Sequence, residues 1–126
     1  MIQAGQEFRW ERSFTDQDLE QFTQLSGDRG MHHIVPDEHG NKMIQGLLTA
    51  TLPTKIGGDL NYVAREMVFD FHRPVYVGDT VTAVVTVKKV ERRKADRLHV
   101  EILWECMNQD GRVVLSGSSH GVIFDP

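Results

Sequence analysis

The chain contains one cysteine, Cys106, so it has neither an internal disulfide framework nor a cysteine-built zinc cage. No apolar run reaches membrane-spanning length, and the first residues lack the basic stretch and apolar core of a secretory leader. Basic charge is not in excess either. Fourteen Lys and Arg stand against 18 Asp and Glu, a formal −4, which argues against a general nucleic-acid binder. Repeats, low-complexity tracts and linkers are also missing. These absences predict a soluble, cytoplasmic protein. What is present is ordinary: 126 residues, 40% hydrophobic and 25% charged, enough to close one core without staples. A single domain over residues 1–126 is the expectation.

Hydrophobic periodicity orders the chain. From about Glu7 to Phe14, Phe8, Trp10, Arg12 and Phe14 alternate with Glu7, Arg9, Glu11 and Ser13 as in a strand. Thr15 reads as an N-cap with Asp18 three residues on, an imperfect capping-box partner. Leu19, Phe22 and Leu25 give the helix that follows one apolar stripe, and Gly27 suits its left-handed end. Residues 28–42 are polar, carry Gly30, Pro36 and Gly40, and read as a loop. A second helix is predicted from Met43 to Ile56. Ile44, Leu47, Leu48, Ala50, Leu52 and Ile56 leave it little polar surface, so it should be buried on most sides. Pro53 should kink or end its regular part, and Gly57-Gly58 should close it. Four strands follow, over 67–71, 80–91, 98–106 and 112–124, with turns at Gly78-Asp79 and Asn108 to Gly111. A meander of four strands that must cover one greasy helix curls around it, which predicts an α+β architecture.

The chemistry concentrates in Ser26-Gly27-Asp28-Arg29-Gly30-Met31-His32-His33. A carboxylate and an imidazole five residues apart, on a segment with two glycines, can converge on one cleft as an acid/base pair. His32, His33 and His39 match no helical ligand pair or closed tetrahedral pattern, so no metal site is expected. Lys88, Lys89, Arg92, Arg93, Lys94 and Arg97 crowd six of the 14 basic residues into ten positions. They read first as a solvated hairpin end and second as a docking patch for phosphates or an acidic carrier. Met67, Phe69, Phe71 and Trp104 suit either core or a ligand-pocket wall, and Cys106 reads as an inert buried thiol.

Three motifs carry a resemblance. Phe14-Thr15-Asp16-Gln17-Asp18, Ser26-Gly27-Asp28 with His33, and Arg73-Pro74-Val75-Tyr76-Val77-Gly78-Asp79 occur in the order found in MaoC-like, (R)-specific enoyl-CoA hydratases. The chain resembles that family over roughly residues 8–124. The resemblance implies the hotdog fold, an antiparallel sheet wrapped around a central buried helix. It also implies a dimer, with a higher oligomer or heterodimer as the alternatives, and a thioester substrate on coenzyme A or acyl carrier protein, with no separate cofactor. Asp28 would then draw a proton from water. His33 would position that water and manage the proton delivered to Cα. The backbone N–H of Gly46 would bind the thioester oxygen as negative charge develops, a role that helix N-termini favour physically. Gln45, Thr54 and Arg73 are the implied substrate-side residues, Thr54 through a bond to the active-site loop.

Two departures stand out. Gly30-Met31 replaces the family's Asn-Pro, removing a side-chain amide and a ring that would stiffen the turn. Gln45 replaces a histidine. Two other readings therefore compete with the hydratase. One is a catalytically degenerate subunit that binds acyl-CoA. The other is a hotdog thioesterase, which would need a carboxylate on or near the central helix, where Met43 to Ile56 has none.

Overall fold

The computed structural model describes residues 2–126. In chain order it has β1 (Glu7–Ser13), α1 (Asp16–Ser26), α2 (Met31–Ile34), α3 (Gly46–Asp59), β2 (Tyr62–Phe71), β3 (Thr80–Lys94), β4 (Arg97–Met107) and β5 (Val113–Phe124). The strands form one antiparallel sheet in the order β1-β3-β4-β5-β2. Helix α3 packs against β1, β2 and β3. This is the α+β hotdog architecture expected of the chain.

Alternation decides which face of the sheet is buried. Val81, Ala83, Val85 and Val87 of β3 and Leu98, Val100, Ile102, Trp104 and Cys106 of β4 point inward. They meet Leu48, Leu52 and Ile56 of α3, with Phe14 and Leu19 completing one core. Cys106 has no exposed surface, and burial pushes its thiol up to about 12.

Helix α1 starts as the sequence indicated. The Thr15 hydroxyl accepts from Asp18 N–H at 3.1 Å, and the Asp18 carboxylate accepts from Thr15 N–H at 2.9 Å. Gly27 ends it at φ 77°. Leu25, read as part of the apolar stripe, is instead exposed.

Several elements depart from expectation. The four later strands are not a simple meander: β3, β4 and β5 are, but β2 crosses to the far edge and pairs with β5. β2 also begins at Tyr62, with an irregularity between Ala64 and Glu66. The central helix starts at Gly46, because residues 43–45 are held extended: Ile44 N–H donates to Val75 C=O and Met43 bridges to Tyr76. Gly57 and Gly58 lie inside α3, which runs through Pro53 to Asp59. Asn61, at φ 55°, supplies the left-handed residue beyond its end. The segment read as loop between 28 and 42 holds the helical turn α2. Among the described residues no helix is long and apolar enough to cross a membrane.

Candidate active site

The turn α2 exists to aim one side chain inward. Its backbone is docked on the residue that leads into the central helix, with Met43 N–H donating to His32 C=O at 3.0 Å. His33 then points into the protein, is 5% exposed, and its Nδ1 lies 2.6 Å from Met43 C=O. A carbonyl only accepts, so Nδ1 carries the hydrogen; whenever the ring is neutral, Nε2 then presents its lone pair on the other side. There Nε2 sits 3.5 Å from Asp28 Oδ2.

Asp28 is set by its own backbone. Its Oδ1 accepts from Gly30 N–H at 3.2 Å, and its N–H donates to the Ser26 hydroxyl at 3.0 Å. The carboxylate is half exposed, the imidazole buried. Two acceptors 3.5 Å apart both reach one water at ordinary hydrogen-bond distance, and each takes one of its hydrogens. Such a water points its lone pairs away from the pair and into the cleft.

That cleft has a volume of about 470 Å³ and is lined by Asp28, His32, His33, Met43, Gly46, Thr49, Phe71, His72, Arg73, Pro74, Val75 and Val114. The size suits a small organic ligand. Gly46 opens α3 at its rim, where the first N–H groups of a helix have no partner within it and the dipole end is positive. Glycine lets the Phe71 ring approach the helix start closely: a Cβ would lie 2.7 Å from Phe71 Cε1. A larger groove of about 610 Å³ crosses the outer face of the sheet, lined by Glu7, Arg9, Thr86, Leu103 and Glu105 among others. It contains neither member of the Asp28–His33 pair.

The remaining sequence-derived residues divide. Arg73 lines the cleft, tethered by Nη1 to Val113 C=O at 2.5 Å. Gln45 does not. It is 1% exposed, and its Nε2 donates to the Thr23 hydroxyl at 2.8 Å and reaches Asp28 C=O at 3.4 Å. Gln45 thus ties α1 and the Asp28 backbone to the start of α3 from behind, where a substrate does not reach. Thr54 is corrected too: its hydroxyl donates to Thr51 C=O within its own helix, so the bond to the loop is not made. The hydroxyl residue at the cleft is Thr49, one turn past Gly46 on the same helix face. Sequence reasoning missed Thr49 and His72. The i+3 spacing from Gly46 was the available signal for Thr49; His72 had none. None of the six clustered basic residues lines the cleft. Lys89 and Arg93 flank Glu91, and Arg92 pairs with Asp125.

Residues 34–116 match the family model for the FAS1-like dehydratase domain region. The (R)-hydratase from A. caviae involved in PHA biosynthesis is similar in structure, with TM-score 0.84 and 25% identity over 99% of this chain and 98% of its own. The R-hydratase PhaJ1 from Pseudomonas aeruginosa superposes at TM-score 0.82, 22% identical over 98% of this chain and 83% of its own. The C-terminally truncated HadBC (3R-hydroxyacyl-ACP dehydratase) complex from Mycobacterium tuberculosis gives 0.67 and 18%, over 95% and 96%. No curated protein sequence matches the chain. The family model covers most of the chain and the fold agrees throughout: the chain belongs to the FAS1-like dehydratase family, the MaoC-like dehydratases of the hotdog fold.

Proposed function

We propose that the protein adds water across trans-2-enoyl thioesters to give (R)-3-hydroxyacyl thioesters, or removes it in the reverse direction. The observation that carries this reading is the Asp28–His33 pair, whose free acceptor atoms lie 3.5 Å apart at a cleft that also holds the start of α3. A water held by both attacks Cβ, and Asp28 takes its proton. The electron pair moves through the double bond onto the thioester oxygen, where the Gly46 N–H and the helix dipole stabilise the enolate. As the enolate collapses, Cα takes a proton from the Asp28–His33 pair, and both return to their starting state. The (R) sense follows the hydratases that the chain resembles. Coenzyme A or an acyl carrier protein brings the acyl group, and the reaction needs no further cofactor.

The thioesterase alternative has little support. The one carboxylate on α3 is Asp59, which is bound by Lys55 at 2.6 Å. It lies thirteen positions past Gly46, about 20 Å along the axis. The non-catalytic reading rests on Gly30-Met31 alone. Hydration of crotonyl-CoA, followed by the loss of enone absorbance, separates all three. Turnover by the wild type and a fall of about 10²- to 10⁴-fold in Asp28→Asn are expected. An inactive wild type with every chain length, or an unaffected Asp28→Asn, would sink the hydratase. Release of free coenzyme A without hydration would favour the thioesterase.

The edge strand β2 exposes Val63, Met67, Val68 and Phe71 and leaves one side of its backbone unpaired. A ten-residue apolar edge is a pairing template, and a second copy of the chain satisfies it by extending the sheet. Sedimentation should give a dimer, and Val63→Asp should shift it toward monomer. A monomeric wild type would refute this.

A further inference from the structure

Gly30 stands where the family motif has a side chain, and the space is not empty. An ideal Cβ on Gly30 would lie 2.7 Å from His32 Cε1 and 3.2 Å from His32 Nδ1. The backbone is not the reason for glycine, since φ −51° and ψ 141° suit any residue. The His32 imidazole occupies the volume that a side chain at position 30 would take. It leans on His33, with ring centroids 3.8 Å apart and planes inclined at 53°. It also lines the same cleft as Asp28 and Gly46. The nitrogens of His33 are committed, one to Met43 C=O and the other facing Asp28. The His32 side chain is exposed, and among the described residues no hydrogen bond or ion pair is made by its ring, which leaves the ring's polar atoms available to a ligand in that cleft.

We propose that His32 is a second imidazole of the reaction cleft, admitted by Gly30, and that it hydrogen-bonds to the acyl thioester bound beside His33. It replaces, from two residues further along, the polar group that the motif carries at position 30. The pair is a coupled exchange: glycine clears the space and histidine fills it. This deepens the hydratase reading and rests on it for the identity of the ligand.

The coupling gives a test that a structural role does not mimic. Gly30→Ala restores the Cβ without straining the backbone; it meets the movable His32 ring at 2.7 Å and only brushes His33 Cδ2 at 3.3 Å, so the variant should fold while His32 is driven from its place. His32→Leu removes the same hydrogen bond directly. Each should lower kcat/KM for crotonyl-CoA by about three- to tenfold, the weight of one hydrogen bond. The double variant should be no worse than either single one. Multiplicative losses, or a His32→Leu enzyme equal to wild type, would overturn the proposal. A second arm is independent of turnover: in ¹³C-histidine-labelled protein, butyryl-CoA should shift the His32 Cε1 resonance. Gly30→Ala should abolish the nuclear Overhauser contact between His32 and His33. If the wild type hydrates nothing yet the resonance moves, the hydratase reading fails and His32 stands as a thioester contact. If butyryl-CoA leaves the resonance in place, the inference is wrong whatever the activity.

Discussion

Adding one methyl group at Gly46 tests the oxyanion role without touching an ionisable group. The new Cβ would lie 2.7 Å from Phe71 Cε1, 3.0 Å from Cδ1 and 3.2 Å from Cζ. Carbon atoms rest at about 3.5–4.0 Å, so ring and helix start must separate by about 0.8 Å or more. Phe71 is half exposed, so part of this is met by swinging the ring, but both partners line the cleft. Either the ring intrudes on the substrate or the N–H leaves the developing oxyanion. A misplacement of about 1 Å costs about 10²-fold, and loss of one oxyanion donor about 10²- to 10³-fold. The gain of about 0.4–1 kcal/mol that Gly→Ala brings through the unfolded chain is offset by the strain of this contact. Gly46→Ala should therefore lose about 10²-fold in kcat/KM for enoyl-CoA hydration while its urea midpoint moves little. If kcat/KM stays within about twofold in a folded variant, the Gly46 N–H is not the oxyanion donor and the proposed electron path is wrong.

Two further outcomes follow from buried groups. Gln45→Leu keeps the volume but cuts the tie to Thr23 and the Asp28 backbone; stability should change by about 1 kcal/mol or less. Its kcat should nonetheless drop about tenfold as the Asp28 loop loosens, and an unchanged kcat would remove Gln45 as a positioning residue. The Cys106 thiol, held at about 12 against an ordinary 9.0, keeps its proton in the folded protein long after the unfolded chain has lost it. Its contribution to stability is complete below about pH 9 and is lost as pH rises toward 12. Denaturation titrations should show Cys106→Ala flattening that alkaline decline, and Ellman's reagent should label Cys106 at pH 8 only after unfolding. Rapid labelling of the native protein would contradict the burial.

The sheet interior was legible because period-two alternation in β3 and β4 is a local property: Val81, Val85, Leu98 and Ile102 announce their own face. The capping box of α1 was legible for the same reason, since Thr15 and Asp18 meet within one turn. What escaped depended on distant partners. Met43 and Ile44 look helical until Val75 and Tyr76 pull them straight, and that displaced the start of α3 by three residues. Thr54 was expected from the resemblance by its distance from Gly46, but it is Thr49, one turn past Gly46, that lines the cleft. One turn of helix at Met31–Ile34 is too short to show a period. Asp28 and His33 were legible as candidates, but the device that orients His33, a carbonyl ten residues later, was not. The space left at Gly30, and what fills it, required coordinates.

The strand order has a consequence for synthesis. β1 pairs with β3, Glu7 lying opposite Thr86, and β2 pairs with β5, Tyr62 opposite Ile123. The ribosome therefore releases α3, with its apolar surface, before any strand of the β3-β4-β5 meander that covers it. Such long-range closures are slow and leave the emerging chain prone to aggregation. Chains arrested after Met107 should still be cut rapidly by protease around α3, with protection arriving only when β5 has emerged. Early protection would mean that β1 and the helices fold without their sheet. On this topology the Asp28–His33 cleft is among the last parts of the molecule to form, because its wall from Phe71 to Val75 is held by β5 at Val114 and Leu115.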